Sequence, residues 1–295
     1  MEYGIKPLGR ERLWLWLMLI PTLIGLVFGA LGSILATIAL SFTHWDLLTP
    51  PVWIGVTNYI NLFTNAAYLK ALTNTFTFSG LYVPGVVIVS LFVAILMNRQ
   101  IRGVSVFRTI YFLPAVTSAV ATALIWNLIY GRDTGILNFF LSHLGLPAVC
   151  WLCAKNAMVA VVVVNIWGAV GEGMIIFLAG LTAIPREYYE AATIDGASEF
   201  QRFFSITLPL VTPSIFFQTL ISTINAFQAY DYIYMMTRQG GGDSSIPVVV
   251  FSIYRNAWNF FNYGGASAQA IELTVIVAIL MAFYLWLEKR FVVYE

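Results

Sequence analysis

Six stretches of this chain are long and apolar enough to cross about 30 Å of hydrocarbon as helices, which takes roughly 20 residues each. They fall at about 13–41, 71–97, 105–130, 156–182, 209–236 and 265–287. Of the 295 residues 60% are hydrophobic and 10% charged, against roughly 25% charged in an average soluble domain. That surface is better matched to lipid than to water, so the expected fold class is an all-α polytopic membrane protein forming a single transmembrane domain. A net charge of +1 offers no field for a phosphate backbone, which removes nucleic acid as a partner. His44 and His143 are the only histidines and Cys150 and Cys153 the only cysteines, too few for most zinc or triad chemistry.

An even number of spans puts both termini on one side, and the basic residues say which. Lys6, Arg10, Arg12, Arg99, Arg102, Arg108, Arg186, Arg202, Lys289 and Arg290 gather on the side of the termini, against Lys70, Arg132, Lys155, Arg238 and Arg255 on the other. The positive-inside rule therefore predicts cytoplasmic N- and C-termini in a multi-pass protein of the cell membrane. The first apolar run is about twice as long as a signal-peptide core and five spans follow it, so it is read as a span. Cys150 and Cys153 are read as two small apolar residues beside the fourth span, with a disulfide left open for an oxidising compartment.

The most informative stretch is the loop 184–209 between the fourth and fifth spans. Pro185 suits a helix start, and Glu187 and Glu190 lie in the first turns, where the dipole favours acids. Gly196 can end that helix, and Phe200, Phe203, Phe204 and Ile206 then offer an apolar face at roughly helical spacing. The result is a short helix, a glycine turn and a second short helix, a knob suited to docking into another protein.

The run Glu190-Ala191-Ala192, three residues, Gly196, nine residues, Ile206, one residue, Leu208-Pro209 resembles the EAA loop of the membrane subunits of binding-protein-dependent ABC importers. Its flanks Leu181, Ile184-Pro185, Tyr189, Asp195-Gly196-Ala197 and Thr207 to Leu210 resemble the carbohydrate-uptake branch, of the MalF or UgpA type. Asn58-Tyr59, Asn74-Thr75, Arg108 to Pro114, Trp126, Gly135, Asn138 and Gly264-Ala266-Ala268 agree with that branch. The resemblance implies a type I ABC importer permease fold and a coupling loop that carries closure of an ATPase to the membrane helices. Residue by residue it makes Glu190 the acid that meets the ATPase, Ala191 and Ala192 the small residues allowing close approach, and Gly196 the turn, with Asp195, Ile206, Leu208 and Pro209 completing the loop. It implies three partners: a homologous second permease (MalG/UgpE-like), a dimer of cytoplasmic ATPases (MalK/UgpC-like) and an extracytoplasmic solute-binding protein. No Lys here follows a Gly, so the chain has no P-loop; no cofactor is expected on it, and ATP and Mg belong to the partner ATPase.

Acids and amides at membrane depth are costly and mark a wet pathway or a contact between helices. On the fourth span Asn165 and Glu172 share a face, with Gly168 and Ala169 between them. On the fifth, Gln218, Ser222, Asn225, Gln228 and Tyr232 make a polar stripe, with Asp231 at its edge. On the sixth, Gln269 and Glu272 lie below Gly265, Ala266 and Ala268. A pathway reading uses these groups to bond hydroxyl-rich solutes, while Trp167, Phe227, Tyr230 and Tyr232 offer faces to sugar rings. Extra acids weigh against an anionic solute, which leaves a neutral sugar or oligosaccharide ahead of a glycerol-phosphate or other polyol. Two other classes remain: an ion-coupled secondary transporter using Glu172, Asp231 and Glu272, which leaves the EAA loop unexplained, and an intramembrane enzyme, which lacks His or Cys at membrane depth. Trp45, Trp53, Trp258, Phe260 and Phe261 in the external loops suit either interfacial anchoring or a docking surface for a binding protein.

Overall fold

The structure, a computed structural model, describes residues 9–98, 103–153, 156–238 and 246–291. Lys6, Arg99, Arg102, Lys155 and the Gly240-Gly241-Gly242 run lie outside them, as do the side chains of Arg10, Arg12 and Arg238. The chain divides into two compact units, Met1–Thr64 with Ile253–Glu272, and Asn65–Ser252 with Leu273–Glu295.

In the first unit, α1 (Gly9–Ile24), a π-helical segment (Gly25–Leu31) and α2 (Gly32–Ser41) run on as one apolar helix. No part of its most apolar stretch is buried within the chain, as suits a helix solvated by lipid or by another subunit. A two-stranded antiparallel ribbon follows, β1 (Thr43–His44) against β2 (Val52–Trp53). Between the strands the exposed Asp46 carboxylate accepts from the Leu48 and Thr49 amides and the Thr49 hydroxyl at 3.0, 2.8 and 2.8 Å, which holds its pKa below the usual carboxylate value. On α3 (Thr57–Thr64) buried Asn58 donates to the Ser41 and Thr43 carbonyls at 2.8 and 2.9 Å, and Tyr59 donates to the Ser41 hydroxyl at 2.7 Å. Asn58-Tyr59 thus pins the helix end and the ribbon together, satisfying carbonyls that leave the helix unpaired. Trp53, Trp258, Phe260 and Phe261 are all exposed in this unit.

The second unit begins with α4 (Ala66–Met97), capped by Asn65, whose side chain accepts from the Ala67 and Tyr68 amides. Then come α5 (Val104–Val116), α6 (Ala119–Ile129), α7 (Ile136–His143) and α8 (Ala157–Ala183). Next are α9 (Arg186–Ile194), α10 (Glu199–Arg202), a π-helical segment (Phe203–Thr207), α11 (Leu208–Leu210), α12 (Thr212–Phe227) and α13 (Asp231–Arg238). The helices α14 (Val249–Tyr254) and α15 (Tyr263–Phe291) each cross the boundary between the units. The α4/α8 pair forms the centre of this unit. Ala71, Thr75, Phe78, Tyr82, Val86, Ser90, Val93 and Met97 are buried along α4 at steps of three and four residues, a single helical stripe. Between helices in lipid such a stripe works through close packing and hydrogen bonds, because lipid tails are as apolar as the side chains. Asn74-Thr75 has a defined task in its N-terminal half: Asn74 donates to the Pro247 carbonyl at 2.9 Å and the Thr75 hydroxyl accepts from the Val249 amide at 3.0 Å, fastening the start of α14.

Among the described residues four helices are long and apolar enough to span a membrane, and up to six spans result when each of two bent pairs counts as one. The expected third span is α5 and α6 meeting at 101°, and the fifth span is bent by 61° between α11 and α12. Both breaks follow from local chemistry. At Thr117-Ser118 the backbone is extended, and the Thr117 hydroxyl takes the Leu113 carbonyl at 3.0 Å. At Pro213 the missing N–H frees the Pro209 carbonyl, which the Thr212 hydroxyl takes at 2.6 Å. A second correction concerns the span expected to run to 236: its helix stops at Phe227, and α13 starts a new one at Asp231.

Candidate functional site

A polar cavity of about 320 Å³ lies at the break between α12 and α13. Its walls come from four places: Phe78 and Tyr82 on α4, Pro114 to Thr117 at the α5/α6 break, Asn165 to Glu172 on α8, and Asn225 to Tyr232 across the end of α12. Glu172, Asn225, Gln228 and Asp231 are exposed to it, and among the described residues no Lys, Arg or His lines it. The Tyr82 ring is stacked on Phe78 at 5.5 Å and the Tyr230 ring on Tyr234 at 5.1 Å, so both present fixed faces. At Gly168 any Cβ would lie 2.9 Å from the Tyr232 hydroxyl, so the absent side chain is what lets Tyr232 lie against α8. The cavity therefore offers carboxylates and amides for hydroxyl groups and aromatic faces for ring C–H surfaces.

Of the pathway residues expected from sequence, the cavity brings together Glu172, Asn225, Gln228, Tyr230, Asp231 and Tyr232. Four others lie elsewhere. Ser222 is buried and receives a hydrogen bond from Gln218 Nε2 at 3.0 Å within α12, and Gln218 fits beside Ser90 where Gly173 has no side chain, so this part of the stripe is packed against α4 and α8. Trp167 is exposed on another side of α8, edge-on to Trp126 at 5.7 Å. Phe227 is buried edge-on to Phe76 at 5.2 Å and lines a second, apolar cavity with Val83, Pro84 and Tyr284. Glu272, half-buried on α15, is not in the lining of the polar cavity. Tyr82 and Thr117 were not anticipated; a tyrosine two residues before Pro84 and a Thr-Ser pair after Pro114 were the available signals.

The loop 184–209 is a short helix, a left-handed turn and a capped second helix. Gly196, at φ +76°, sends its N–H to the Thr193 carbonyl, and Ala197 sends its own to the Ala192 carbonyl, so α9 ends in a Schellman motif. Ser198 and Gln201 form a capping box on α10. Arg202 ties the two helices, donating to the Thr193 hydroxyl at 3.0 Å and lying 3.6 Å from Glu199. Glu190, Ala191 and Asp195 are exposed, whereas Ala192 and Tyr189 are half-buried, so Ala192 is the alanine that comes close to the rest of the chain. Ile194, Phe200 and Phe204 present exposed apolar surface beside Glu190 in the sequence. Ile206 packs on the buried cluster of Val93, Met97, Phe177 and Val211, and Leu208-Pro209 forms the turn into α12.

The Cys-x-x-Cys between α7 and α8 is a disulfide, Cys150 to Cys153, in place of the two small apolar residues expected. Buried Asn138 organises the same loop, donating to the Gly131, Arg132 and Val149 carbonyls and accepting from the Val149 amide and the Trp151 indole. Among the described residues no group of three or more His, Cys, Asp or Glu could hold a metal ion.

Residues 65–293 match the family of binding-protein-dependent transport system inner membrane components. The chain is 34% identical to the probable ABC transporter permease protein YesP of Bacillus subtilis, covering 98% of this chain and 95% of YesP. It is 33% identical to the trehalose/maltose transport system permease protein MalF of Thermococcus litoralis, over 94% of each. A crystal structure of a bacterial ABC transporter involved in the import of the acidic polysaccharide alginate superposes with a TM-score of 0.83 at 26% identity, covering 95% of this chain and 96% of that one. With a family match over most of its length and relatives alike from end to end, the chain belongs to the binding-protein-dependent transport system inner membrane components: it is a multi-pass permease of an ABC importer, a transport subunit rather than an enzyme.

Proposed function

We propose that this permease forms half of a sugar or oligosaccharide pathway and couples it, through the loop 184–209, to a separate ATPase. The observation that carries the reading is the pairing in one unit of a polar, aromatic-walled cavity with an exposed, rigidly capped helix. Sugar transport by the MalF and alginate relatives supports the carbohydrate class. Two carboxylates and, among the described residues, no cation in the lining favour a neutral solute on this half of the pathway.

In this reading Glu190, Ala191, Ala192, Asp195 and Gly196 meet a cleft of the ATPase, which supplies ATP and Mg. Ile206, Leu208 and Pro209 pass the movement to α12. Glu172, Asn225, Gln228, Tyr230, Asp231 and Tyr232 contact solute, and a homologous second permease supplies the facing wall. A solute-binding protein delivers cargo on the outside, and both termini are cytoplasmic, as the basic residues ask.

The test is uptake and ATP hydrolysis in proteoliposomes holding the permease pair and ATPase, with binding protein and solute supplied. Wild type should transport only with ATP, and Glu190→Ala and Gly196→Asp should lose at least about 90% of stimulated hydrolysis and uptake while the complex still assembles. Uptake without ATP that Glu172→Gln or Asp231→Asn abolishes would replace this reading with a carboxylate relay.

A further inference from the structure

Within α9 one large side chain turns inward. Tyr189 packs against the buried cluster at the cytoplasmic ends of α4 and α8, and its hydroxyl meets Thr207 Oγ1 at 2.9 Å. Thr207 is buried and closes the π-helical segment that leads into α11 and α12. The other large residues of α9 face outward. The helix is continuous with α8 through Ile184-Pro185, but the way from it to α12 along the chain runs through a glycine turn and the short α10. Tyr189 to Thr207 is a direct lateral link that bypasses that turn.

Two further features suit a link that moves. The π-helical segment carries a less favourable bonding pattern than α-helix, and such segments gather at functional sites. A cavity of about 260 Å³ lies against the pair, bounded by Ile95, Asn98, Leu181, Glu199, Arg202 and Phe203, so the ring has space on one side that a close-packed core would deny it.

We infer that Tyr189 and Thr207 form a transmission pin that passes displacement of the coupling helix to the foot of the fifth span. The inference rests on the coupling reading above. Tyr189 is a positioning residue here: it touches no solute, and its hydroxyl sets how much of the α9 movement α12 receives. Removing the bond keeps the ring and the loop but lets α9 shift without carrying α12.

The experiment measures solute transported per ATP hydrolysed in the reconstituted complex for wild type, Tyr189→Phe, Thr207→Val, the double variant and Thr207→Ser. One hydrogen bond between neutral groups corresponds to roughly a two- to ten-fold change, so the ratio should fall by that factor in each single variant. The double variant should be no worse than the singles, as for two partners of one interaction, and Thr207→Ser should keep the wild-type ratio. An unchanged ratio in Tyr189→Phe, or losses that add in the double variant, overturns the pin. A wild type that needs no ATP, or a Glu190→Ala variant that keeps stimulated hydrolysis and uptake, would sink the coupling reading itself; an ATP-dependent wild type, a Glu190→Ala variant that loses both, and a Tyr189→Phe variant with the wild-type ratio would sink the pin alone.

Discussion

At Gly168 a single hydrogen in place of a side chain decides where Tyr232 can stand, and so what one wall of the polar cavity is made of. A methyl group there would press on the hydroxyl end of a side chain able to tilt, so Gly168→Ala should cost stability only at the low end of the roughly 1–3 kcal/mol of overpacking. The larger effect should fall on transport. Uptake at low solute concentration should drop several-fold while the thermal midpoint of the purified complex moves little; equal uptake by both proteins would mean that Tyr232 does not shape the pathway. The sequence sets Gly168 between Asn165 and Glu172 on one helix face, and what fills the place of its side chain is a ring from beyond the next span. Spacing along one helix is a local property and was legible. Which distant ring fills a gap depends on where another helix breaks, whereas Trp167 and Phe227 stand on other faces of their helices, against Trp126 and Phe76.

The coupling loop was legible as an element because its information is short-range. Pro185 starts a helix, Gly196 ends it, and Ser198 with Gln201 starts the next, each within a few residues of its partner. The broken spans were less legible, because Pro114 and Pro213 announce strain without saying that Thr117 and Thr212 will take the freed or competing carbonyls and turn the chain. At the loop the same local accounting gives numbers. Gly196→Ala forces a Cβ into left-handed backbone, at about 1–2 kcal/mol, and Ser198→Ala removes a cap worth about 1 kcal/mol. Both should raise amide exchange within 186–202 by roughly five- to thirty-fold while leaving α4 and α8 protected. Equal acceleration in α4 would show that the loop does not open as a separate unit.

For the molecule as a whole, two independent observations bear on which way the chain is threaded. In the six-span reading, ten of the fifteen Lys and Arg residues fall on the side of the termini and of the loop 184–209, which asks for cytoplasm there. The Cys150 to Cys153 disulfide lies in the loop between α7 and α8, separated from the coupling loop by the whole of α8, and disulfides persist on the oxidising side of a membrane. The two observations are independent and point the same way, as the proposed delivery of solute outside and docking of an ATPase inside require. In right-side-out membrane vesicles, a membrane-impermeant maleimide should therefore label Cys150 and Cys153 only after an impermeant reductant opens the bridge. In a Cys150→Ser, Cys153→Ser background, Ala191→Cys should stay unlabelled until the vesicles are permeabilised. The reverse pattern, with the residue at 191 reached from outside, would invert the topology and remove the coupling loop from any cytoplasmic ATPase. The two sites carry different local chemistry but report one threading, so a mixed result in which both are reached from outside would break the agreement between the disulfide and the basic residues and overturn the positive-inside assignment for this chain.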